Sequence, residues 1–415
     1  MAKISIITIG DELLIGQVID TNSAWMAQEL NKAGFAVCRR LAVGDVWNEI
    51  WNALDEEQQH ADIILITGGL GPTADDITKP LLCKYFNGKI IIDEWTKENI
   101  VAIFTKLNRP LIERNIRQAE VPDVCTVIKN KRGTAPGMLF EKAGKIFISM
   151  PGVPYEMKGM MENEVIEILQ KRFQPQTILH KTLLTAGVGE SFLAELIKDF
   201  EVALPENIKL AYLPNYAMVR LRLTAMSNDK DALESLVNTQ FEKLQLLVKE
   251  YLVTARDEPM EKVVAGLLLQ KNKTIGTAES CTGGYISHLI TSIAGSSAYY
   301  KGSVIAYAYD AKEKLLGVDK IELEQKGAVS EEVVTQMVRG AILNLDVDYA
   351  IAVSGIMGPG GETPDKPVGT VWIGVGNREK CKAQKMHFRF DRQRNIQLTA
   401  ISALNMMRQF ILAEG

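Results

Sequence analysis

The sequence has no Cys-x-x-Cys pair, no basic stretch and no long apolar run, and each absence removes a class of protein. Its five cysteines stand far apart, at 38, 83, 125, 281 and 381. An odd number at such spacings argues against a disulfide framework and a structural zinc site, and fits a reducing compartment. Lysine and arginine together number 47 against 51 aspartates and glutamates, a net charge of −4, with a pI near 5.8. A nucleic-acid binder usually carries a basic excess or stripe, so nucleic acid is not expected as a partner. Small anions held by helix N-termini or a few arginines remain compatible with this charge. No apolar stretch approaches the ~18 residues of a membrane helix. The opening MAKISIITIGDELLIG enters a strand pattern without a signal peptide's apolar core. The expectation is a cytoplasmic protein with no membrane association.

What is present is globular: 47% apolar and 24% charged residues over a chain of 415. That length exceeds one hydrophobic core, so two or three domains are expected. KISIITI, FAVCRRLAV and DIILIT read as strands, and TNSAWMAQELNKAG as a helix capped at Thr21 or Asn22 and stopped by Gly34. Strand and helix alternate, which predicts an α/β domain with a parallel sheet over 1–170. Ligands of such sheets sit beyond the carboxyl ends of the strands, where TIGDE and TGGLGPTADD both lie. Residues 175–252 read as a small α+β module, closed by a long amphipathic helix. After the polar VTARDEP, residues 258–415 return to an α/β pattern, with YYKGSVIAYAY as one strand and RNIQLTAISALNMMRQFIL as the last helix.

The stretch TAESCTGGY lies between a strand and a helix and sets Ser280 beside Cys281. One reading is a nucleophile next to the backbone N–H groups of Thr282, Gly283 and Gly284, as acyl transfer requires. The other is a helix cap with glycines that permit close packing. His288 lies eight residues beyond Ser280, ~12 Å along a helix, so it is out of reach as a base. A desolvated lysine is the alternative base, and AYAYDAKEK offers Tyr307 and Tyr309 on one strand face with Lys312 past its end. Cys281 is either a rival nucleophile at a helix N-terminus or a small buried apolar side chain. SGIMGPGG at 354–361 is a second glycine-rich loop, and FDRQRN puts Arg392 and Arg394 in the first turn of the last helix. Cations there oppose the helix dipole and suit an anionic ligand.

AESCTGG, AGSSAYYKGSVIAYAYDAKEKLLGV, GAVSEEVV, SGIMGPGG and KPVGTVWIG together resemble the CinA carboxy-terminal domain, a nicotinamide mononucleotide amidohydrolase. TIGDELLIGQVIDTNSAWMAQEL, TGGLGPTADDITK, RNIRQAEVP, GTAPGM and MPGVPYEM resemble the CinA amino-terminal domain. That domain is similar to molybdopterin-binding proteins and is associated with ADP-ribose pyrophosphatase activity. The middle segment looks like the KH-like module between them, although it has no basic G-x-x-G loop. The resemblance covers nearly the whole chain, in order.

It implies deamidation of nicotinamide mononucleotide without a cofactor, with Ser280 as nucleophile and Tyr307 and Lys312 as its partners. Thr282, Gly283, Gly284, Ser354, Gly355 and Arg392 become candidates for binding substrate. At the amino-terminal site it implies a nucleotide such as ADP-ribose with a divalent ion (Mg, Mn or Co). The candidates there are Asp11, Glu12, Gly68, Gly69, Gly71, Asp75, Asp76, Asn115 and Arg117, with Asp75 and Asp76 as metal ligands. Family habit implies a homodimer. Two alternatives stay open: an amino-terminal domain that only binds ligand, and a non-enzymatic competence or recombination factor, as the family name suggests.

Overall fold

Runs of β-branched residues with no polar alternation must be covered on both faces, and the first sheet is built from such runs. The computed structural model describes residues 2–73 and 75–414. The strands Ile4–Ile9 and Ile63–Thr67 are buried at every residue, as central parallel strands are. The six-stranded sheet has the order Val37–Val43, Ile4–Ile9, Ile63–Thr67, Lys145–Met150, Gly137–Lys142, Thr126–Ile128. Its first four strands are parallel and its last two antiparallel to their neighbours. The helix Thr21–Lys32 covers one face through Met26 and Leu30, and Trp47–His60 covers the other through Ile50 and Leu54. The first of these is capped by Asp20, not by Thr21 or Asn22, because the Asp20 carboxylate accepts the Ser23 N–H at 2.9 Å.

Contacts divide the chain into two units. One runs to Ile178 and takes in Met226–Asp231; the other comprises Leu179–Ala225 and Ala232 onward. A four-stranded sheet, most of it in the second, has the order Ile208–Asn215, Met218–Ser227, Thr177–Ala186, Leu252–Thr254, with its first and last pairs antiparallel. Leu184, Ala186 and Met218 of this sheet share a core with Met260, Val264 and Leu268. The middle module is thereby joined to the carboxy-terminal domain.

The carboxy-terminal sheet has the order Tyr300–Ile305, Ile275–Glu279, Tyr349–Gly355, Thr370–Gly376, Cys381–His387. Its first three strands are parallel and the remaining two antiparallel. The helices Met260–Lys271 and Arg392–Leu412 cover one face; Glu331–Leu345, capped by Ser330, covers the other. The strand expected through Tyr309 stops at Ile305. The Ala306 and Tyr307 carbonyls turn away from the ladder to accept bonds from the Lys312 side chain. Tyr309 instead opens the helix Tyr309–Leu316. Among the described residues, no helix is long and apolar enough to cross a membrane.

Candidate active site

The parallel ladder between Ile275–Glu279 and Tyr349–Gly355 ends at the pair Glu279 and Val353, and Ser280 continues it by donating its N–H to the Val353 carbonyl at 3.1 Å. The chain then turns sharply. Gly283 N–H closes the turn on the Ser280 carbonyl at 3.2 Å, and Gly284 adopts φ of 99°, a conformation that a side chain would strain.

Glu279 organises this turn, and nothing in the local sequence flagged it. It is completely buried. Its carboxylate accepts the N–H groups of Gly284 (3.0 Å), Ile286 (3.0 Å) and Ser287 (2.8 Å) and the Thr282 hydroxyl (2.6 Å). A carboxylate with this many donors is stabilised in its buried setting without a cation. The N–H groups of Gly283 and Gly284 are thereby engaged inside the turn, which corrects the expectation for these two, whereas Thr282 commits its hydroxyl and not its N–H. Among the described residues, the N–H groups of Cys281 and Thr282 take no backbone or carboxylate acceptor.

Lys312 reaches Ser280 from the Tyr309–Leu316 helix. It is 1% exposed, and its Nζ lies 2.9 Å from Ser280 Oγ, 2.8 Å from the Ala306 carbonyl and 3.0 Å from the Tyr307 carbonyl. Burial lowers its pKa to about 8. A neutral amine has two N–H donors and one lone pair. Protonated, Lys312 donates to the two carbonyl oxygens and to Ser280 Oγ; once neutral, it can keep both carbonyls and turn its lone pair to the serine proton. The relay through the Tyr307 side chain is not what the geometry provides. That ring is 62% exposed, and its hydroxyl accepts a bond from Arg392 Nη2 at 3.2 Å. Tyr307 contributes its carbonyl, because the strand ends before it.

Cys281 points the other way, into the core with Ile286 and Val353, and burial pushes its thiol up to about 12. Ser354 is also withdrawn: its hydroxyl donates to the Ala328 carbonyl at 2.7 Å and is buried. A side chain on Gly355 would meet Val371 Cγ2 at 2.7 Å, so packing against the next strand accounts for that glycine. Arg392 is held at the rim by the Gly358 carbonyl, 2.7 Å from Nη1. Asn395 fixes the same loop from below, donating to the Met357 carbonyl at 3.2 Å.

In the first unit the loops after Ile4–Ile9, Ile63–Thr67 and Lys145–Met150 meet in a cleft of about 490 Å³. Glu12, Gly68, Gly69, Gly71, Asp75 and Asp76 line it, together with Asp45 and Glu156. Gly68 is there for close approach, since a Cβ would stand 2.1 Å from the Ile9 carbonyl oxygen, and its N–H is taken by the Met150 carbonyl. Asp11 acts on Asp45: each accepts the other's backbone N–H, at 3.0 and 3.1 Å. Burial, with Asp11, Glu12 and Asp75 nearby, raises the Asp45 pKa.

The Asp76 carboxylate accepts the Thr73 N–H at 2.8 Å and also the Thr73 hydroxyl, and the nearby Thr73 side chain lowers the Asp75 pKa. Among the described residues, no three acidic, histidine or cysteine groups converge on a metal position, so Asp75 and Asp76 do not form a ready-made cage. Asn115 caps its own helix, accepting the Ile112 N–H at 3.2 Å. Arg117 lies in an adjoining lobe, paired with Glu113 at 3.0 Å.

Comparison with known proteins agrees with this layout. Residues 5–171 match the family described as "Probable molybdopterin binding domain", 180–254 the "Damage-inducible protein CinA KH domain" and 257–411 the "CinA C-terminal domain". A CinA-like protein of Cytophaga hutchinsonii is 43% identical over 404 residues, 97% of either chain. One of Flavobacterium psychrophilum is 43% identical over 412 residues, 99% of either chain. A crystal structure of a CinA superfamily protein from Klebsiella pneumoniae covers 38% of this chain and 99% of its own, at 30% identity and a TM-score of 0.37. With the family matches in register along its length and relatives aligned almost end to end, the chain belongs to the CinA family.

Proposed function

We propose that the carboxy-terminal site hydrolyses the carboxamide of nicotinamide mononucleotide, giving nicotinic acid mononucleotide and ammonia. The observation that carries this reading is the buried Lys312 amine 2.9 Å from Ser280 Oγ, a base and a nucleophile in contact, with no carboxylate among the described residues holding the lysine as a cation. Neutral Lys312 removes the Ser280 proton as Oγ bonds to the carboxamide carbon. The N–H groups of Cys281 and Thr282 are placed to receive the oxyanion, each worth on the order of 3 kcal/mol in such a role. Lys312 then protonates the departing nitrogen as the C–N bond breaks, and ammonia leaves. Water attacks the resulting ester, Lys312 takes its proton, and the serine hydroxyl is restored. Arg392 keeps guanidinium N–H groups for the substrate phosphate beyond those anchored by Gly358 and Tyr307. Homodimer formation and a cytoplasmic location belong to the same proposal.

The test is ammonia release from nicotinamide mononucleotide by the purified protein with a chelator present; folded protein that releases none sinks the reading. A pH profile checks the base independently. Lys312 must be neutral, so kcat/KM is expected to rise with pH through about 8 and then level off. A rate that is flat from pH 6 to 10 is incompatible with lysine as the base.

For the amino-terminal cleft we infer binding of a phosphate-bearing nucleotide such as ADP-ribose, with pyrophosphate hydrolysis as its activity. The position at the carboxyl ends of parallel strands supports this. The lining carboxylates repel a diphosphate unless a cation intervenes, so the donor set suits a divalent ion, which Asp45 and Asp75 would hold. Such an ion would supply charge neutralisation and an activated water. This chain's own contribution is orientation: Asp11 fixes Asp45 through the reciprocal backbone bonds, and Thr73 fixes the loop that carries Asp75 and Asp76.

A further inference from the structure

A second lobe of about 450 Å³ opens beside the carboxylate cleft and shares Gly71, Pro72, Asp76 and Gln118 with it. Its lining gathers three cations: Lys79, Arg114 and Arg117. Lys79, in the first turn of the helix Thr78–Tyr85, is 8% exposed. Its Nζ donates to the Gln118 carbonyl at 3.0 Å and makes no ion pair among the described residues. An ammonium has three donors, so two remain for a ligand. Arg114 is fixed at the lobe by its Nε donating to the Pro72 carbonyl at 2.7 Å. Asp76, Glu120 and Cys125 act on the Lys79 amine electrostatically, and Glu113 and Glu120 complete the charged lining. Burying an ammonium against a single carbonyl costs stability, and that cost fits a group kept for binding.

The two lobes differ in their charged groups. One is lined by Glu12, Asp45, Asp75, Asp76 and Glu156 with no cation; the other sets Lys79, Arg114 and Arg117 beside Asp76, Glu113 and Glu120. Carboxylates accept bonds from sugar hydroxyls, and lysine and arginine donate to phosphate oxygens. We propose that the Lys79–Arg114–Arg117 lobe is the anion subsite of the amino-terminal cleft. It takes one phosphate of a nucleoside diphosphate-type ligand whose sugar lies towards the carboxylates. This rests on the nucleotide reading of that cleft.

The test is calorimetric titration of the full chain with inorganic pyrophosphate and, separately, with ADP-ribose. Lys79→Met is expected to weaken both ligands at least about tenfold, and Lys79→Arg to recover most of the loss. A second readout separates charge from shape. Burial lowers the free Lys79 amine to about 8, and a bound anion favours its protonated form. Wild-type binding near pH 8 should therefore take up a proton, detectable as a dependence of the heat on buffer ionisation, and Lys79→Met should not. The unfolding temperature of each variant shows whether it has folded. Equal affinities in wild type and Lys79→Met overturn the subsite and leave the nucleotide reading of the cleft intact. If wild type binds neither ligand, with or without a divalent ion, the cleft reading falls together with the subsite.

Discussion

Replacing Ser280 by alanine is expected to lower ammonia release from nicotinamide mononucleotide by on the order of 10⁴-fold or more. Losses of that size accompany removal of a nucleophile that acts as a unit with its base. The substitution removes one oxygen from a turn that other groups hold: Glu279 binds the N–H groups of Gly284, Ile286 and Ser287, and the Ser280 backbone stays on Val353. The fold and the substrate affinity should survive, so kcat should fall and KM should change little. Cys281→Ala is the paired control. Its thiol is buried in the core and pushed up to about 12, leaving almost no thiolate at neutral pH. That variant should keep activity within about threefold and lose some stability through the small cavity. A dead Cys281→Ala that remains folded, beside an active Ser280→Ala, would reverse the assignment.

Lys312→Met is expected to separate catalysis from stability. Activity should drop by roughly 10³- to 10⁴-fold, the upper range for a positioned base, and the inflection near pH 8 should vanish from whatever rate remains. Stability should move the other way. Lys312 is lowered from 10.5 to about 8 in the folded chain, so between those values the unfolded chain binds more protons and stability rises with pH. Below about pH 8 the folded protein bears the full cost of keeping this amine out of water, about 3 kcal/mol at 1.36 kcal/mol per pKa unit. Methionine removes that cost and fills a similar volume. Against this, the Ala306 and Tyr307 carbonyls lose a donor, at about 1 kcal/mol each. The expected result is an unfolding temperature at pH 7 that is unchanged or raised, with the advantage gone by about pH 10. A clearly lowered unfolding temperature at pH 7 would mean that Lys312 holds the loop together more than it waits for a proton.

The same division between local and distant groups explains which parts of the site could be read from residues alone. AESCTGG was legible as a serine on a tight strand-to-helix turn, because a turn is a short-range object. The Ser280–Lys312 partnership came from family resemblance; spacing alone put His288 out of reach and left a cysteine nucleophile and a tyrosine–lysine relay as competing readings. The relay misplaced Tyr307 because alternation in SVIAYAY carries on past the point where the ladder stops. What stops it is a tertiary demand, the Lys312 amine taking the Ala306 and Tyr307 carbonyls. Gly283 and Gly284 read as oxyanion donors beside Thr282 until the turn took their N–H groups, the first on the Ser280 carbonyl and the second on Glu279.

Residue order alone was enough for the alternation of strand and helix, for the parallel strands with glycine loops at their carboxyl ends, and for the tight turn that carries Ser280 and Cys281. Each of these rests on periodicity and turn chemistry within a few residues. Which polar groups are free to act was settled in three dimensions. Glu279 takes up its donors from three to eight residues downstream, Ser354 gives its hydroxyl to Ala328, and Asn115 is drawn into a cap. Asp45 enters its cleft from a segment that carries no motif, and Lys79 ends the TGGLGPTADDITK stretch without any local feature that marks it as a ligand group. A hydrogen bond, once made, removes a group from chemistry, and which bonds are made depends on which segments the fold brings within 3 Å or so of each other.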